Sequence, residues 1–136
     1  MIKTHIPQLG RFLSVGVLNL LVGLLVIYAC KWFFDVGDAA ANAIGYAAGL
    51  TTSFTLNSRW TFAYRGHQLP ALIKFLLVAA VAYAMNLLTV LVSIDYLSVN
   101  GYIAQVLGIP PYVLTSYLAS KFIVFRAQPE LLSKSR

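Results

Sequence analysis

The sequence is poor in charge. Of 136 residues, 10% are Asp, Glu, Lys or Arg, and four are acidic. Soluble domains carry about 25% charged residues, and a chain this short buries only about two thirds of its surface on folding in water. With 60% hydrophobic residues and a mean hydropathy of +0.78, much apolar side chain would remain exposed to water. That excludes an ordinary soluble enzyme, a disordered tail and a collagen-like fibre, and makes lipid the main solvent.

Other absences narrow the chemistry. The single cysteine, Cys30, excludes an intrachain disulfide. The two histidines, His5 and His67, stand apart from any Cys or carboxylate cluster, so neither a metal nor a cofactor is expected. No acidic residue falls inside an apolar run, since Asp35, Asp38 and Asp95 stand at run ends. Proton-coupled transporters commonly use a membrane-embedded carboxylate as relay, so a proton antiporter of the small four-helix drug-efflux type is disfavoured. There is no nucleotide-binding loop, no pair of carboxylates on the cytoplasmic side and no nucleophile–base constellation, so no catalysis is expected.

What the chain has is four apolar runs, at 12–30, 39–58, 75–94 and 102–119. A helix of about 20 apolar residues crosses about 30 Å of hydrocarbon. Lipid cannot satisfy free backbone groups, so helices are required, and the alternation of barrel strands is missing. The expected fold is an all-α membrane protein, a single domain of four transmembrane helices over 1–136. Lys3 and Arg11 precede a first run that ends Tyr28-Ala29-Cys30, loosely like a lipoprotein cleavage site. That run exceeds the roughly 7–15 residues of a signal peptide's apolar region, and three more follow it, so it reads as the first span.

The net charge is +6. The cations mark the ends of apolar runs, which points to membrane orientation and anionic headgroups rather than to nucleic acid. Lys3, Arg11, Arg59, Arg65, Lys74, Lys121, Arg126, Lys134 and Arg136 fall on the side of the termini, and only Lys31 falls opposite. The expectation is an inner-membrane, multi-pass protein with both termini cytoplasmic.

The two halves resemble each other at a spacing of 63. Arg11-Phe12 matches Lys74-Phe75, Asn42-x-x-Gly45 matches Gln105-x-x-Gly108, and Thr52-Ser53-Phe54 matches Thr115-Ser116-Tyr117. Ser58-Arg59-Trp60 matches Ser120-Lys121-Phe122 after a slip of one residue. Two parallel two-helix repeats follow, related by an axis along the membrane normal.

Amides interrupt the apolar runs. Asn19 lies with Gly16 and Gly23 on one helical face, and Ala41, Gly45, Gly49 and Ser53 form a small-residue strip beside Asn42. Asn86 shares a face with Thr89 and Ser93, and Gln105 precedes Thr115 and Ser116 in the last run. Two readings stand open: helix–helix contacts averaging about 0.6 kcal/mol each, or a polar cavity open to a headgroup. Pro110-Pro111 should kink the fourth helix, as a static bend or as the wall of a passage.

Arg11, Arg59, Lys74 and Lys121 each mark the cytoplasmic end of a different run. Such cations orient the chain, and each also adds about 1 kcal/mol of attraction to an anionic surface. Arg can grip phosphate oxygens bidentately. Trp60, Phe62 and Tyr64 alternate with other residues, which predicts an extended segment in the interface, serving as an aromatic belt or a sugar-stacking surface.

Arg11-Phe12-Leu13-Ser14-Val15-Gly16, then Asn19, and above all Phe54-Thr55-Leu56-Asn57-Ser58-Arg59-Trp60-Thr61-Phe62 resemble the GtrA-like family of small membrane proteins. The family pattern runs roughly Phe-x-x-Asn-[Arg/Lys]-x-Trp-x-Phe; here the basic residue sits one place later. The resemblance covers about residues 9–126. It implies binding and transbilayer movement of a polyprenyl-phosphate-linked sugar, such as undecaprenyl-phosphate glucose, for cell-surface polysaccharide modification. A separate membrane glycosyltransferase would make that lipid. On this reading Arg59 and Lys121, with Arg11 and Lys74, meet the phosphate. Asn19, Asn42, Asn57, Asn86, Gln105 and Trp60 then face the polar passage and the sugar. The alternative is a non-transporting scaffold or accessory subunit of a polyprenyl-phosphate glycosyltransferase. Four helices make a small bundle, so a homodimer that widens the cavity is a further expectation.

Overall fold

A computed structural model describes the backbone of residues 2–126 and the side chains from Ile6 to Arg126. Lys134 and Arg136 of the expected basic rim lie outside the described residues, as do the side chains of Lys3 and His5. The described chain is all-α, with four helices: α1 (Ile2–Phe34), α2 (Asp38–Leu56), α3 (Gln68–Asp95) and α4 (Gly101–Ala119). A π-helical turn extends α2 (π1, Asn57–Thr61) and another extends α4 (π2, Ser120–Val124). Among the described residues, Ile6–Phe34 and Gln68–Asp95 are long and apolar enough to cross a membrane. Their outward faces carry exposed side chains such as Leu20, Leu25 and Leu77. An all-α membrane protein accounts for that exposure, because lipid tails solvate such faces without cost.

Helix ends extend beyond the apolar runs, because a helix does not stop where hydrocarbon stops. The connections shrink accordingly, to 35–37, 62–67 and 96–100. The chain divides into two compact units, Met1–Arg65 and Gly66–Arg136. Each is a helical hairpin closed by its own π-turn.

Within each hairpin the helices meet through small residues. In the first, Ala41, Gly45, Gly49 and Ser53 are buried along α2 at a spacing of four. A Cβ at Gly45 would strike Ile27 and the Gly23 carbonyl oxygen, so only glycine admits so close a crossing. In the second, Ala104, Gly108 and Ser116 are buried on α4, and Gly108 packs on Asn86 and Val90. Opposite them, α1 buries Phe12 and Val15, and α3 buries Phe75 and Val78. All these pairs are 63 apart. A Cβ at Gly16 would meet nothing within 4 Å, so of the expected Gly16–Asn19–Gly23 face only Asn19 and Gly23 reach α2.

The caps repeat as well. Asp35 (φ 50°) and Ser98 (φ 52°) take left-handed conformations just past α1 and α3. There the Val36 N–H donates to the Cys30 carbonyl at 3.2 Å, and the Val99 N–H to the Ser93 carbonyl at 2.9 Å. Ala63 (φ 47°) ends π1 in the same way, with the Tyr64 N–H on the Ser58 carbonyl at 2.7 Å. Left-handed alanine costs about 1–2 kcal/mol, so tertiary contacts must hold it. Asn100 caps α4, its side chain accepting from the Tyr102 N–H at 2.9 Å.

Two expectations are corrected. The stretch around Trp60–Phe62 is not extended: π1 runs through Thr61, with Thr61 buried and Trp60 half-exposed. Alternation over three aromatic residues fits a wide helical turn equally well. The one-residue slip in the repeat also disappears. The Phe62 N–H bonds to the Asn57 carbonyl at 2.9 Å, and the Phe125 N–H to the Ser120 carbonyl at 2.8 Å. Phe12 meets Phe62, and Phe75 meets Phe125, both with ring centroids 6.2 Å apart. Asn57 therefore corresponds to Ser120, Ser58 to Lys121 and Arg59 to Phe122. The basic residues of the two turns are not equivalent, because packing of the phenylalanines, not likeness of short strings, fixes the register. Pro110 and Pro111 sit inside α4, which remains one element on both sides of them.

Candidate functional site

The π1 end of the first hairpin gathers four of the expected residues: Arg11, Asn57, Arg59 and Trp60. The wide turn carries Asn57 into the interior, where it is 1% exposed and its Nδ2 donates to Ser53 Oγ at 3.2 Å. Its Oδ1 and the buried Thr61 Oγ1 have no partner. Each such orphan costs about 1–3 kcal/mol, and single π-turns are frequent at functional sites.

α1 reaches this turn from the side. Gln8 Nε2 donates to the Thr61 carbonyl at 3.4 Å, and Arg11 Nη1 to the Trp60 carbonyl at 3.4 Å. The Arg11 guanidinium lies 5.6 Å from the centre of the Trp60 ring. Trp60 keeps 46% of its surface exposed, so cation and indole form one accessible patch. Arg59 is exposed next to it in sequence. This combination of a fixed guanidinium, a free cation and an aromatic face suits a phosphate attached to a ring.

The second hairpin has a related end with different chemistry. Lys74 corresponds to Arg11 and is exposed, but Ile123 stands where Trp60 would be. Its cation–aromatic cluster forms instead around Lys121, whose Nζ donates to Tyr117 Oη at 3.5 Å and lies 5.6 Å and 5.9 Å from the Tyr117 and Phe122 rings. Ser120 is fully buried and its Oγ has no partner.

The expected amides divide among several places. Asn19 lodges its side-chain oxygen against Gly49, and Asn42 Nδ2 donates to the Asp38 carbonyl at 3.2 Å. Both line a half-open cavity of about 210 Å³ between α1 and α2, with Leu20, Gly23, Leu24, Ile27, Gly45 and Tyr46. Asn86 packs on Gly108 in the second hairpin, and Gln105 is exposed on α4. Gln8, Ser53, Thr61, Tyr46 and Tyr117 were not anticipated as site residues. Helical spacing held the signal for two of them: Gln8 lies three residues from Arg11, and Thr61 four from Asn57.

At the far end of the first hairpin, Lys31 Nζ pairs with Asp38 Oδ1 at 2.5 Å. The hydrogen bond from Lys31, then its charge, hold the Asp38 carboxyl below the usual aspartate range. Asp38 also opens α2, where negative charge is favoured.

Comparison with known proteins follows the same extent of chain. A family model described as GtrA/DPMS, transmembrane domain, matches residues 11–125. The chain is 28% identical over 126 residues to the bactoprenol-linked glucose translocase of Shigella phage SfV, covering 85% of this chain and 92% of that protein. It is 27% identical over 126 residues to the protein of that name from Shigella phage SfII, at the same coverage. It is 22% identical over 123 residues to the uncharacterized membrane protein YwcD of Bacillus subtilis (strain 168), covering 88% of this chain and 97% of that one.

Proposed function

Because the chain belongs to the GtrA/DPMS transmembrane-domain family, we propose that it binds a polyprenyl-phosphate-linked sugar and moves it across the inner membrane. The two phage relatives are named for moving bactoprenol-linked glucose and match the chain nearly end to end, which supports this reading. The protein is a transporter, not an enzyme. It spans the bilayer four times with both termini inside, and a partner glycosyltransferase supplies the lipid.

The observation that carries the reading is the Arg11–Trp60 patch over π1, with buried orphan polar atoms beneath it. Arg11 and Arg59 on the first hairpin, and Lys74 and Lys121 on the second, each offer cations to a phosphate. The polyprenyl tail stays in lipid along the exposed helix faces. Asn19, Asn42, Asn57, Asn86 and Gln105 offer hydrogen bonds along the way, since an unaided charged headgroup at the bilayer centre costs several kcal/mol.

The test is reconstitution into liposomes with labelled undecaprenyl-phosphate glucose, following its appearance in the opposite leaflet. Transport by the wild type and its loss with retained folding in a combined Arg11→Gln, Arg59→Gln, Lys121→Gln variant are expected. Wild-type liposomes no faster than empty ones would overturn the reading. Co-purification with a glycosyltransferase, together with no lipid selectivity in the isolated chain, would favour the scaffold instead.

A further inference from the structure

We propose that the cavity between α1 and α2 is a binding site for an uncharged sugar ring, separate from the cation–tryptophan patch. The inference rests on the translocase reading for the choice of a sugar. The site itself rests on the cavity.

Its chemistry is neutral. The lining is two carboxamides, one phenol, two glycines and three aliphatic side chains, with no cation among them. Such a surface offers nothing to balance a phosphate. It does offer what a sugar ring uses: amide donors and acceptors for hydroxyls, and Tyr46 and leucine surface for the apolar ring face. The size also discriminates. About 210 Å³ lies below the roughly 300–1,000 Å³ of pockets for drug-sized ligands, so it admits one ring. The glycines matter because Gly23 and Gly45 bring the two backbones together at the floor. Asn19 and Asn42 stand on opposite walls, one on each helix.

Its position separates it from the patch. Arg11 and Asn19 are eight residues apart on α1, a rise of about 12 Å, and Gly23 is about 18 Å away. In a sugar joined directly to a lipid phosphate, ring and phosphate are neighbours. One headgroup therefore cannot place its phosphate on Arg11 and its ring in the cavity together. The two sites are successive stations, the patch for the charged group and the cavity for the ring after the headgroup has moved along α1.

The test is photolabelling of the full chain in nanodiscs with an alkyl β-glucoside bearing a diazirine, the labelled peptides being mapped by mass spectrometry. Labelling concentrated on residues 19–27 and 42–46 is expected. It should fall about fivefold to tenfold in Asn42→Ala, the effect of about one lost hydrogen bond, and likewise in Leu24→Trp, which fills the cavity from an exposed position. A competing free glucose that displaces the probe makes the ligand a soluble sugar; displacement by alkyl glucoside alone makes it lipid-linked. Equal labelling of these residues by a sugarless alkyl diazirine, or no response to either variant, would overturn the site. Undecaprenyl phosphate binding, measured in parallel, should be unchanged in Leu24→Trp. A wild type that takes the glucoside here but neither binds nor moves the polyprenyl lipid would refute the translocase reading and leave this site standing.

Discussion

The two hairpins share a backbone and differ in what they mount on it. Glycine crossing, left-handed caps, π-turns and the phenylalanine pair recur at one spacing. The polar equipment does not. Asn19 answers to Ala82, Gly23 to Asn86, Asn57 to Ser120, and Trp60 to Ile123. Residues that set the distance between helices are kept, because a wrong volume at a crossing is felt at once. The polar residues proposed to meet the headgroup have diverged between the hairpins.

The largest expected effect comes from breaking the shared frame. Gly45→Leu drives side chain into the Gly23 carbonyl, backbone that cannot turn aside, so a loss at the upper end of about 1–3 kcal/mol is expected. Gly108→Leu meets the side chains of Asn86 and Val90, which can shift, and should cost less. Thermal unfolding of both variants in detergent measures the difference; equal losses would undo the comparison.

Next comes the interior of the π-turns. Asn57→Ala removes the bond to Ser53 and leaves a void, for about 1–2 kcal/mol. Ser120→Ala deletes an unpartnered buried hydroxyl and should be neutral or slightly stabilising. Denaturant titration of the pair shows whether the two turns carry their polar atoms for the same reason.

A smaller change sharpens the functional contrast. Trp60→Leu should weaken undecaprenyl phosphate binding by a few-fold, the worth of a cation–aromatic contact of about 0.5–1 kcal/mol. Ile123→Trp should strengthen it by building the matching surface opposite Lys74. Lipid-binding titrations decide both.

The smallest effect is electrostatic. Because Lys31 lowers the pKa of Asp38, the pair stabilises the fold above the ordinary aspartate pKa and loses that contribution as pH falls through the depressed value. The pair is exposed, so the gain is slight. Melting temperatures of the wild type and Asp38→Asn should differ most near neutral pH and converge in acid. The second hairpin has Gly101 at that position and no such dependence.

Much of the frame was legible in the sequence. Long apolar runs gave the helices, and the strip Ala41–Gly45–Gly49–Ser53 marked the buried face of α2, because small residues at a spacing of four have one common use in lipid. The π-turns were not legible. A wide turn leaves no period that differs from chance over five residues, and Trp60-Thr61-Phe62 imitates a strand. The same blindness produced the false slip, since Ser58-Arg59 and Ser120-Lys121 look alike while their phenylalanines are differently spaced from them. At the candidate site, single residues such as Arg11, Trp60 and Asn57 could be picked by type. That Arg11 sits on Trp60, that Asn57 is interior, and that Asn19 and Asn42 share a cavity depend on α1 folding back on α2, which no local pattern records.

The left-handed Ala63 has a bearing on how such a chain can be cut and joined. It stops the first hairpin two residues before the boundary at Arg65–Gly66, so that hairpin carries its own full stop. Severed there, each half should be able to enter a membrane as a hairpin of its own. A gene that began as one such hairpin would have needed only to copy itself once.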